Sequence, residues 1–69
     1  MLENYENVEK IKLIDCPMYE EYSVIVLFKD GKTRVIDLDT SEEAIELYQM
    51  YMQEFNEFKK QNNQKTLSI

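Results

Sequence analysis

Sixty-nine residues with 14 acidic and 8 basic side chains, a net charge of −6 and 43% apolar content can build one small core and not two. A single cysteine excludes an intrachain disulfide, and the lack of histidine removes the ordinary zinc and haem ligand sets and the usual neutral-pH base. A core of this size contributes only about 3–5 kcal/mol on its own, so self-association or a partner is expected.

Taken in chain order, Val8 to Asp15 carries Ile11 and Leu13 at period two between Lys10 and Lys12, which predicts an edge strand with one solvated face. Cys16-Pro17-Met18-Tyr19-Glu20-Glu21 follows as a connection, because proline lacks the amide hydrogen that a continuing ladder requires. Next, β-branched runs flank Asp30-Gly31 on both sides, the pattern of a two-residue hairpin that would pair Lys29 with Lys32. After Leu38 the apolar period changes from two to 3.6. Thr40 and Glu43 have the spacing of a capping box, and no glycine or proline interrupts the chain from Ser41 to about Gln61. Lys59 and Lys60 stand where cations complement the helix dipole. The amide-rich end, 62–69, and the first residues, 1–7, are expected to fray. The fold class is therefore α+β: a single domain over 1–69, with a three-stranded antiparallel sheet (βββ) followed by one long C-terminal amphipathic helix packed on one sheet face.

Projected at about 100° per residue, the helix gathers Ala44, Ile45, Leu47, Tyr48, Tyr51, Met52, Phe55 and Phe58 on one arc, which is core. With Lys29 paired to Lys32, one sheet face collects Ile25, Leu27, Ile36 and Leu38, and the other Tyr22, Val24, Val26, Phe28 and Val35. Both faces are apolar and one helix covers one of them. The second set is expected to form a homodimer interface, with the segment around Met1, Leu2, Tyr5 and Val8 or a target protein as other possible covers.

Charge is distributed unevenly. Residues 1–21 carry −4, 22–36 carry +2, 37–57 carry −7 with no base at all, and 58–69 carry +3. Helix-dipole stabilisation explains acids in a first turn, but Glu42/Glu46 and Glu43/Glu46 are like-charged neighbours, where exposed helices normally intersperse signs. Asp37, Asp39, Glu42, Glu43, Glu46, Glu54 and Glu57, with Met50 as an apolar anchor among them, are the candidate partner-binding residues. Such a field steers association with a basic surface and disfavours nucleic acid or anionic lipid as a direct ligand.

Catalytic chemistry finds no support. Cys16 precedes a proline with no histidine to activate it, and is expected to be half-buried and inert. Asp37-x-Asp39-x-Ser41 echoes the start of a calcium loop, but Glu42 stands where glycine is needed and Tyr48 where the bidentate acid belongs. No catalytic residue, cofactor or metal site is assigned, and neither a membrane span nor a secretory leader is read, so the expected location is the cytoplasm. The composition favours a non-enzymatic, acidic protein-binding module. Its expected role is a stoichiometric inhibitor of the phage anti-defence or immunity/antitoxin type, whose helix occupies a basic, nucleic-acid-binding surface of a target protein. The competing expectation is a homodimeric structural domain whose acids serve solubility.

Overall fold

In the computed structural model residues 5–67 are described, with side chains through residue 61. A 3-10 turn at Tyr5–Asn7 leads into β1 (Val8–Cys16), a second 3-10 turn at Pro17–Tyr19, β2 (Glu21–Phe28), β3 (Thr33–Asp37) and the helix α1 (Ser41–Leu67). The three strands form an antiparallel sheet in the order β1-β2-β3, with α1 packed against β1 and β2. This is the expected α+β arrangement. The helix runs further than expected, over 27 residues and so roughly 40 Å, taking in part of the tail expected to fray. Residues 1–4 and 68–69, also expected to fray, lie outside the described residues.

Helix initiation follows the side-chain chemistry. The Glu43 N–H donates to Thr40 Oγ1 at 3.2 Å, and the Thr40 hydroxyl donates to Glu43 Oε1 at 3.2 Å. The Ala44 N–H donates to the Thr40 carbonyl, so Thr40 is the residue at which the helical ladder starts.

The hairpin differs from expectation in a way that rearranges the sheet. The Gly31 N–H donates to the Phe28 carbonyl at 3.0 Å, the Phe28 N–H donates to the Lys32 carbonyl at 2.9 Å, and Asp30 Oδ1 accepts the Lys32 N–H at 2.9 Å. Lys29, Asp30 and Gly31 therefore form a three-residue loop closed by Phe28 and Lys32, with Gly31 at φ 90°. Such a loop is a turn followed by a left-handed residue, which glycine supplies without steric cost. Val24 then pairs with Ile36 and Ile25 with Val35. A slip of one residue moves every side chain of a strand to the opposite face.

The expected face assignment is thus corrected. Ile36 lies on the same side as Val24 and Val26, whereas Val35 joins Ile25 and Leu27. The helix covers the Val24/Val26 side. Val24, Val26 and Ala44 are fully buried there, with Val8, Ile11, Tyr51 and Phe55 nearly so. Tyr5, Leu13, Phe28, Ile36, Leu38, Leu47, Tyr48 and Met52 pack around this core. Of the residues expected at a dimer interface, Val24 and Val26 are internal to one chain, Tyr22 and Phe28 are partly buried, and Val35 alone is open, at 57% exposure. The N-terminal turn lies on the helix side too, where the Tyr5 ring stacks on Phe55 with centroids 5.9 Å apart.

The uncovered sheet face is less apolar than expected. Ile14, Ile25 and Leu27 are partly buried along it, Val35 is open, and Lys10 and Lys12 stand exposed on the β1 side. Ser23 is buried at 8% exposure, and its hydroxyl donates to Asp37 Oδ1 at 2.7 Å. Cys16 is exposed rather than half-buried, because it ends β1 just before the Pro17 turn.

Candidate functional site

The seven acids singled out by charge fall into three groups, with Met50 among them. Two are engaged within the fold. Asp37 ends β3 and accepts from Ser23 across the sheet. Glu54 is partly buried and accepts a short hydrogen bond from the Tyr5 hydroxyl, 49 residues away in the chain. Burial, and then the Glu54 carboxylate beside it, pushes the Tyr5 phenol well above its ordinary value, so Tyr5 holds its proton as the donor.

Glu43 belongs to both fold and surface. Its backbone and carboxylate close the helix start, yet it also lines an open depression of about 320 Å³ with Leu38, Glu46, Leu47 and Met50. Leu38 and Leu47 form the apolar floor, Met50 is 40% exposed at the wall, and the two carboxylates stand at the rim. The depression brings Leu38, just after β3, together with the first turns of α1.

Asp39, Glu42, Glu46 and Glu57 remain exposed. Glu43, Glu46, Met50 and Glu57 follow one another by three, four and seven residues on one helix, which sets them along a single stripe. The helix therefore presents an acidic ridge with one apolar side chain in it, and this ridge borders the Leu38/Leu47 floor. Its chemistry suits a ligand that offers cations around an apolar group; carboxylates accept strongly from lysine and arginine, while the floor rewards burial of a small apolar side chain.

Leu38 and Leu47 were not singled out by sequence reasoning, since both read as ordinary core positions. Met18 and Tyr19 were also missed. They are 86% and 72% exposed on the β1–β2 turn, beyond the sheet end at which the Leu38 N–H donates to the Tyr22 carbonyl. Their exposure follows from the turn: Glu20 adopts φ 52° and its N–H closes back on the Pro17 carbonyl, which projects the two intervening side chains outward.

A second depression, of about 360 Å³, is lined by Tyr5, Val8, Glu9, Lys29, Phe55, Phe58 and Lys59. Here Lys59 Nζ sits 4.6 Å from the centre of the Phe55 ring. Among the described residues no group of three or more acidic or thiol side chains converges to hold a metal ion, and no helix is long and apolar enough to cross a membrane. No family model, curated protein or solved structure matches the chain.

Proposed function

We propose that the protein is a non-enzymatic binding module that captures a basic partner protein through the stripe of Asp39, Glu42, Glu43, Glu46, Met50 and Glu57. In its most concrete form it is a stoichiometric inhibitor, of the anti-defence or immunity type, that covers a cationic groove on its target. One observation carries this reading. The only apolar side chain in the acidic stripe, Met50, borders a depression with a Leu38/Leu47 floor and a Glu43/Glu46 rim. Acids kept for solubility alone have no need of an apolar floor beside them. A recognition site does, because buried apolar contact supplies affinity while the charges supply steering and selectivity.

Two residues offered from charge alone, Asp37 and Glu54, leave the binding set because the fold already uses them. Capture of a basic partner should weaken as ionic strength rises through about 0.1 M, where the screening length falls to about 10 Å. Met50→Ser should weaken it at every salt concentration. Capture that is indifferent to both changes would assign the acids to solubility.

A further inference from the structure

We propose that two copies of the chain join edge to edge through β3, making one continuous sheet of six strands, three from each copy. The two sheet edges are unlike. The β1 edge carries a bulge between Val8 and Lys10, with Lys10 and Lys12 exposed beside it, the usual devices that stop a strand from pairing further. Thr33-Arg34-Val35-Ile36-Asp37 has no proline, glycine, bulge or lysine, and its exposed cation, Arg34, points to the helix side while Val35 occupies the open side at the centre of the edge.

Backbone geometry says which groups the edge offers. Phe28 and Lys32 close the loop with an N–H to carbonyl bond, and at the other end the Leu38 N–H donates to Tyr22. Alternation along an antiparallel ladder then turns the N–H and carbonyl groups of Thr33, Val35 and Asp37 outward, away from β2. A second copy that pairs antiparallel with Val35 opposite Val35 places Thr33 opposite Asp37 and satisfies all of these groups on both chains. No other register within β3 does so.

The same register brings opposite charges together. On the helix side, Lys32 of the second copy falls opposite Leu38, at the depression rimmed by Glu43 and Glu46. The twofold axis makes this contact twice, joining the hairpin of the +2 segment to the helix start of the −7 segment. On the open side, the exposed Val35 meets its own counterpart, a favourable β-branched cross-strand pair. Since the axis stands perpendicular to the sheet, both helices lie on one face, and the parts of the two acidic ridges that Lys32 leaves open, around Met50 and Glu57, face the same way.

The pairing rests on the β3 edge, but it shares the Glu43/Glu46 rim with the proposed capture site, so it is tested on the protein alone, without a target. Sedimentation equilibrium of the full chain at tens of micromolar should give a dimer. Val35→Lys, which sets two like charges face to face at the centre, should give a monomer with an unchanged circular dichroism spectrum. Lys32→Glu should weaken self-association by about tenfold or more, and Glu46→Lys in the same chain should restore it. A wild-type monomer would overturn the proposal, as would an extended peptide from a target occupying the edge of a monomeric chain. It would equally be overturned by a dimer that is lost with Leu27→Lys but is indifferent to Lys32→Glu, because the copies would then meet through the open sheet face that Leu27 and Val35 share.

Discussion

The Phe28 N–H donates to the Lys32 carbonyl at 2.9 Å, and this bond decides which side of β3 faces the helix. With Lys29 to Gly31 looped out, Ile36 packs toward Val24 while Val35 turns to the open face. A hairpin one residue tighter would have buried Val35 and exposed Ile36.

Gly31 is the position on which that loop depends. Its φ of 90° is accessible to glycine and strained for other residues, and an added Cβ would meet no neighbouring atom, so the cost of substitution is purely one of backbone conformation. Gly31→Ala should lower stability by about 1 kcal/mol, read from the urea midpoint with an unchanged slope. A shift of the same size with Gly31→Asn would mean that the left-handed conformation is not the cause, since asparagine tolerates it better than alanine.

Glu20 presents the opposite case, a non-glycine residue at φ 52°. Glu20→Gly should raise stability by roughly 0.5–1 kcal/mol in thermal unfolding, the left-handed strain relieved being partly offset by the looser unfolded chain. A loss of stability would show that the Glu20 side chain contributes more than its backbone costs.

The Tyr5–Glu54 hydrogen bond ties the N-terminal turn to the helix. Tyr5→Phe should cost about 1 kcal/mol while leaving the stacking on Phe55 in place. Its pH dependence has a definite sign. The folded phenol binds its proton more tightly than the unfolded one, so the contribution is complete below the ordinary phenol value of about 10 and declines as pH rises beyond it. Tyrosinate absorbance followed through alkaline titration should show a late-ionising phase in the wild type that Tyr5→Phe removes.

Core and ridge should respond differently to truncation. Phe55→Ala, at a nearly buried ring beneath Tyr5, should cost about 3–5 kcal/mol and leave little folded protein. Met50→Ala, at an exposed site, should change stability by about 0.5 kcal/mol or less, seen as nearly coincident melting curves.

The order of elements was legible because the apolar period switches from two to 3.6 after Leu38 and because the single glycine and single proline both fall at turns. The hairpin register was not. Asp-Gly suits a two-residue turn as well as a turn with a left-handed third residue, and the Asp30 carboxylate that captures the Lys32 N–H belongs to the second. The acidic stripe was visible in the spacing of Glu43, Glu46, Met50 and Glu57. Its boundary with the fold was hidden, because Glu54 depends on Tyr5 and Asp37 on Ser23, contacts that close only when distant segments meet. Leu38 and Leu47 gave no signal of their own. They line one depression only once the segment after β3 folds back beside α1.

Capture with baits of matched charge tests the acidic ridge most directly. Glu42→Lys/Glu57→Lys and Glu20→Lys/Glu21→Lys change the net charge equally, the first pair on the ridge and the second at the exposed end of the β1–β2 turn and the start of β2. The expected result is that the ridge variant loses the basic partner held by the wild type while the turn variant keeps it. Equal retention by both variants, or equal loss, would contradict a localised site and leave the charge as a property of the whole molecule.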